Sequence, residues 1–146
     1  MEVDCRALRA NYNAVTQRIP AGCRMLPMVK ADAYGTGATL AVRTLASLGP
    51  LGFGVATLEE ARNVRVDGWD GHVVVFTPTL PADVDELLAT CAEPVVGDVE
   101  TLVASGAATR EASGSDGACL TVHLEIDTGM GRFGFPWQTE AGWPAL

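Results

Sequence analysis

The sequence predicts an α/β fold built on a parallel sheet, and two observations predict it. Helical and strand patterns alternate along 146 residues, with one leading helix and then five strands, each consecutive pair separated by a helix. The segments 25–29 and 73–76 are continuously apolar, as expected where helices cover both faces of a sheet. Five βα units make a small open sheet or part of a (β/α)8 barrel. Such a barrel typically takes about 250 residues, so as a barrel this chain carries the first five strands.

Each element has its own reason. Residues 7–18 read as a helix, with Leu8 and Tyr12 four apart and Val15 following, stopped by Pro20 and Gly22. Residues 25–31 are a short apolar run ending in a lysine, a buried strand candidate. Pro27 speaks against a central strand because it has no N–H for the ladder. Residues 38–48 are helical up to Gly49 and Pro50, and 53–56 form a strand. Residues 58–66 are a helix whose start is marked by Thr57 and, three residues on, Glu60, the capping-box pattern. A strand at 73–76, a helix at 84–90, a strand at 93–96 and a helix at 99–108 follow. The polar Gly/Ser-rich stretch 111–117 reads as an exposed loop, 120–127 as the longest strand, and the pattern dissolves after Gly134.

Composition excludes several classes. Apolar residues are 48% and charged residues 19%, which argues for a packed core rather than disorder. Ten basic against eighteen acidic side chains give a net charge of -8, unsuited to nucleic acid or an anionic membrane surface. No apolar window is long enough to span a bilayer. The start, Met1-Glu2-Val3-Asp4, lacks the basic and apolar regions of a secretory signal. The four scattered cysteines form no CxxC pair, and His72 and His123 add no zinc spacing. A cytoplasmic protein with reduced, mostly buried cysteines and no metal is the expectation.

Two segments carry candidate chemistry. Nine of the ten basic residues are arginine, and Lys30 is the only lysine. It stands at the end of an apolar strand candidate, where α/β folds build their sites. With Met28 and Leu26 on its face it would be desolvated, its pKa lowered, and its amine a candidate Schiff-base nucleophile. Gly35 and Gly37 then turn the chain into a helix whose backbone N–H groups can face an anion. In the last strand Thr121, His123, Glu125 and Asp127 alternate with Val122, Leu124 and Ile126. The apolar set would pack on helices and the polar set would face a crevice. The following Gly129-Met130-Gly131 turn would fold Arg132 back over the strand end, within reach of Glu125. His123 reads as a hydrogen-bonded interior histidine and Met130 as packing. No nucleophile elbow or P-loop is present.

At these residues the sequence resembles the alanine racemases. Val29-Lys30-Ala31-Asp32-Ala33-Tyr34-Gly35 looks like the family's pyridoxal-phosphate lysine motif. The run from Leu124 through Asp127-Thr128-Gly129-Met130-Gly131-Arg132-Phe133-Gly134 looks like its second hallmark. Glu2-Val3-Asp4 with Leu8–Tyr12, and Gly54–Ala61, also fit the family, in the family's order. Thr36 stands where the family usually has histidine, and Glu125 where many members have a lysine, often carbamylated.

The resemblance implies a partial (β/α)8 barrel of the alanine racemase type, with an N-terminal arm and helix start at 1–12 and an incomplete barrel domain at 13–146. The cofactor would be pyridoxal 5'-phosphate (PLP). Lys30 would form the internal aldimine and act as one of two catalytic bases. Tyr34 would contact the cofactor phosphate, and Arg132 would sit beside the cofactor's phenolic oxygen and the substrate carboxylate. Glu125 would support Arg132 in place of the carbamylated lysine. The reaction would be interconversion of L-alanine and D-alanine by a complete, homodimeric protein. The family's opposite-face catalytic tyrosine comes from a later domain. The only tyrosines here are Tyr12 and Tyr34, so this chain alone is expected to be inactive. A non-catalytic barrel fragment that binds PLP weakly or not at all, or a racemase of broader amino-acid specificity, are the alternatives.

Overall fold

The computed structural model describes residues 2–113, 117 and 119–138. The chain divides into two compact units, Met1–Phe76 and Thr77–Leu146.

The first unit opens with α1 (Cys5–Thr16), capped by the Asp4 carboxylate, which accepts from the Arg6 N–H at 2.8 Å. A single-turn element, α2 (Lys30–Gly35), leads into α3 (Ala38–Ala46). Arg9 ties α1 to α3 by donating from Nη1 to Ser47 Oγ at 2.9 Å and to the Thr44 carbonyl at 3.3 Å. Strand β1 (Gly52–Val55) is buried throughout and pairs in parallel with β2 (His72–Val75), Gly52 opposite His72 and Val55 opposite Val75. Between them runs α4 (Leu58–Val66), which turns Ala61 and Val64 inward. Phe53, Val55, Val73 and Val75 are sealed from solvent, and the Trp69 ring meets Phe53 edge-on at 5.0 Å.

The strand expected at 25–31 is reduced to one parallel bridge, Met28 to Gly54. The Val29 N–H donates to the Gly54 carbonyl at 2.8 Å and the Gly54 N–H to the Pro27 carbonyl at 2.9 Å. The next donor back along the ladder would be the N–H that Pro27 lacks, so the regular ladder stops there, and beyond it the Leu51 N–H donates to the Met25 carbonyl at 2.7 Å.

The second unit begins with a 3-10 turn, Pro81–Asp83, and α5 (Val84–Thr90), which buries Val84 and Leu87. Strand β3 (Glu93–Val96) is followed by α6 (Val99–Ser113). The helix thus runs into the stretch expected as a loop: Arg110, Glu111 and Ala112 are strong helix formers and continue it. Gly117 is exposed, with positive φ, and the rest of that expected loop lies outside the described residues.

The long strand expected at 120–127 is two short pieces. β4 (His123–Leu124) pairs in parallel with β3, and β5 (Ile126–Asp127) pairs in parallel with β6 (Phe135–Pro136), a strand the sequence reading did not expect. Because the two pieces serve different partners, the alternation breaks at Glu125. Leu124 and Ile126 remain 36% and 40% exposed rather than packing on helices. Cys23, Cys91 and Cys119 are exposed and Cys5 half-buried, so the expected burial of the cysteines is not found; none forms a disulfide. Among the described residues no helix is long and apolar enough to cross a membrane.

Candidate active site

The backbone around Lys30 departs from ordinary geometry. Ala31, Asp32, Ala33 and Tyr34 all have φ between 51° and 55° with positive ψ, a left-handed helical turn of four residues that are not glycine. Each such residue costs about 1–2 kcal/mol, so the turn stores on the order of 4–8 kcal/mol. Runs of this kind persist only where surrounding contacts over-determine them, and they gather at functional sites.

The contacts are present. The Ala33 N–H donates to the Val29 carbonyl at 2.9 Å and the Gly37 N–H to the Asp32 carbonyl at 2.9 Å. The Asp32 carboxylate accepts from the Ala38 N–H at 2.7 Å, at the start of α3, and the Thr36 hydroxyl donates to the Ala33 carbonyl at 2.6 Å. From α4, Glu60 Oε1 accepts the Ala31 N–H at 2.7 Å. Its Oε2 accepts the Ala56 N–H at 2.7 Å and the Thr57 N–H at 3.4 Å. The capping box read from Thr57 and Glu60 is formed, with Thr57 Oγ1 accepting from the Glu60 N–H at 3.2 Å.

Lys30 therefore opens a turn instead of ending a strand, and it is half-buried rather than enclosed between Met28 and Leu26. Among the described residues no carboxylate lies within ion-pair distance of its amine. The Nζ sits 6.0 Å from the centre of the Tyr34 ring, which is itself 65% exposed. An accessible, unneutralised amine beside an open aromatic ring and a glycine-bounded turn fits a group that needs a primary amine. Lys30 and Tyr34, which the resemblance sets in one motif, thus share one turn.

The second unit holds Glu125 and Arg132. The Thr128–Gly134 segment returns the chain so that β6 lies parallel to β5, and positive φ at Gly129, Gly131 and Gly134 permits so short a return. Its organiser is Asp127. The carboxylate accepts the Gly129 N–H at 2.9 Å and the Gly131 N–H at 3.0 and 3.1 Å. These backbone donors, Gly131 first and Gly129 next, hold the Asp127 carboxyl below its ordinary pKa.

Arg132 rides exposed on this segment, and no hydrogen bond or ion pair joins it to Glu125. The expected contact is missing because the turn folds onto Asp127. Glu125 instead offers its backbone carbonyl to the Phe135 N–H at 2.7 Å. His123, expected in the interior, is exposed and pairs with Glu93, Nε2 to Oε2, at 2.7 Å. Among the described residues no three His, Cys, Asp or Glu side chains gather as a metal set. Sequence reasoning missed Asp32, Asp127 and the second task of Glu60. Asp127 carried a signal, since an aspartate followed by glycines two and four residues on favours a side-chain-capped turn.

Comparison with known proteins gives the family. The family described as "Alanine racemase, N-terminal domain" matches residues 3–145. An alanine racemase of Geobacter sulfurreducens is 38% identical over 137 residues, covering 94% of this chain and 35% of that protein. One of Levilactobacillus brevis is 36% identical over 138 residues, covering 94% and 36%. The crystal structure of alanine racemase from E. faecalis superposes with a TM-score of 0.82 at 32% identity, over 91% of this chain and 35% of that one. A histidine racemase from Leuconostoc mesenteroides shares the fold, with a TM-score of 0.78 at 24% identity. The chain thus spans about a third of the length of the relatives it matches. The α/β architecture expected from the sequence, part of the barrel domain of these enzymes, stands, and the chain belongs to the alanine racemase N-terminal domain family.

Proposed function

We propose that this chain is the lysine-bearing portion of a PLP-dependent racemase that interconverts L- and D-alanine. The observation that carries the reading is Lys30: the only lysine of the sequence, unneutralised, on a strained left-handed turn that its neighbours hold in place. Strain kept at a single reactive amine is what a preorganised nucleophile needs.

PLP, when bound, supplies an electron sink for the pair left at Cα. The residues of this chain would supply the amine, the phosphate contact and the guanidinium; the opposite-face proton group lies outside it. Lys30 would hold the cofactor through Nζ, and its amine would be the group that takes or returns the Cα proton on one face. Tyr34, on the same turn, would offer its hydroxyl to the cofactor phosphate. Arg132 would donate to the cofactor's phenolic oxygen and the substrate carboxylate, its planar guanidinium being suited to both. Glu125 supports Arg132 at a remove, since its carbonyl anchors the segment on which Arg132 returns. The complete enzyme works as a homodimer in the cytoplasm, with alanine as its substrate.

The test is chemical. Incubation with PLP, borohydride reduction and peptide mass mapping should place the pyridoxyl group on Lys30, with an absorbance band near 420 nm before reduction. Label confined to the N-terminal amine would overturn the reading.

A further inference from the structure

We propose that Glu60 is a positioning residue for Lys30, an inference that rests on the functional reading above. One carboxylate grips two places at once. Oε1 takes the N–H of Ala31, the residue that follows Lys30, at 2.7 Å, and Oε2 takes the N–H of Ala56, just past β1, at 2.7 Å. Both are short, charge-assisted bonds to backbone donors.

The other hydrogen bonds of the left-handed turn run within it or to the residues flanking it: Ala33 to Val29, Gly37 to Asp32, Ala38 to the Asp32 side chain. They fix its shape and leave its orientation to be set. Glu60 comes from α4, twenty-nine residues away in sequence, and refers the turn to the end of β1. The Val29 N–H bonded to the Gly54 carbonyl supplies a second reference on the other side of Lys30. The backbone of Lys30 is thereby held between two ties to one strand, which sets the direction in which its side chain departs.

As N3 of a capping box, Glu60 would need only the Thr57 N–H. That bond is its longest, at 3.4 Å, while the bonds to Ala31 and Ala56 are both 2.7 Å. The carboxylate is placed for the Lys30 turn first and for the helix start second.

The experiment compares the wild-type chain with Glu60→Ala, Glu60→Gln and Thr57→Ala. The readouts are the ratio of Lys30 to N-terminal amine labelled by PLP and borohydride, and deuterium uptake of the peptide covering residues 30–36. Thr57→Ala removes the cap and leaves the Ala31 bond, so both readouts should stay near wild type. Glu60→Ala should lower the labelling ratio by about tenfold or more, the scale of lost support around a reactive group, and speed uptake in the turn. Glu60→Gln restores one acceptor and sets an NH2 against the other donor, so it should recover part of the ratio. If Glu60→Ala does not fold, Glu60→Gln against Thr57→Ala decides. Wild-type ratio and uptake in both Glu60 variants would overturn the positioning role while the functional reading stands. An unlabelled Lys30 in the wild-type chain would overturn that reading, and this role with it.

Discussion

Both carboxylate oxygens of Asp127 accept the same backbone N–H, that of Gly131, at 3.0 and 3.1 Å. The turn that carries Arg132 is therefore closed by a negative charge. Because these bonds favour the ionised form, the folded pKa lies below the ordinary value of 3.8. The sign follows: the contribution is fully present above that ordinary value and is lost as pH falls through the lower, folded one. The amide proton shifts of Gly129 and Gly131, followed by NMR, should titrate together with a midpoint below 3.8. Asp127→Asn should abolish that titration. A midpoint at or above the ordinary value would contradict the assignment.

Ala31 is exposed, and its φ of 51° is one that glycine reaches without steric cost. Ala31→Gly relieves about 1–2 kcal/mol of left-handed strain and adds about 0.4–1 kcal/mol of unfolded-chain entropy. The net is a stabilisation of up to about 1.5 kcal/mol, the reverse of the usual effect of glycine in a helix. The urea midpoint should rise with the m-value unchanged; a fall would mean the turn is not left-handed at this residue.

Gly52 and Gly54 both lie in β1 and should respond differently to alanine. A Cβ at Gly52 would meet the backbone carbonyl oxygen of His72 at 2.2 Å, and the paired strand has no way to yield without losing register. A Cβ at Gly54 would meet Met28 Sδ at 2.2 Å, and a thioether can swing away. Gly52→Ala should cost about 3 kcal/mol or more and Gly54→Ala about 1 kcal/mol, the two ends of the overpacking range. Equal losses in denaturant melts would show that the two glycines meet equally yielding neighbours.

Racemisation needs proton-bearing groups on opposite faces of Cα. Tyr12 is buried on α1, and Tyr34 shares the turn of Lys30. The purified 146-residue chain, freed of host racemase, should therefore form no D-alanine above a PLP-only control. Turnover that disappears in Lys30→Ala would show that the second group lies within this chain.

The elements legible in the sequence were those with local causes. Leu58–Val66 announced itself through Thr57 and Glu60, and α5 and β3 fall where the apolar pattern put them. The segment around Lys30 was misread because Ala31, Asp32, Ala33 and Tyr34 carry no signature of left-handed geometry. The turn is closed by bonds such as that of the Gly37 N–H to the Asp32 carbonyl and oriented by Glu60, remote in the chain, and no residue pattern announces either. The split of 120–127 was hidden because strand alternation looks the same whether one partner or two receives the strand. For the candidate site, the uniqueness of Lys30 was visible in composition alone. Its motif already sets Tyr34 four residues on, whereas the missing contact between Glu125 and Arg132 follows from the turn around Asp127, which the sequence reading did not use.

The left-handed turn has a stereochemical corollary. A backbone at φ near 50° with ψ near 50° is the mirror image of an ordinary helical residue, the minimum that a D-amino acid occupies by preference. At Ala31 and Ala33 the native L-residues sit in the conformation that suits their own enantiomers. A chain assembled by chemical ligation with D-alanine at position 31 would keep the same backbone and shed the steric conflict of that residue. The segment next to the reactive lysine is thus a stretch of protein in which the preference for one hand of amino acid is locally inverted.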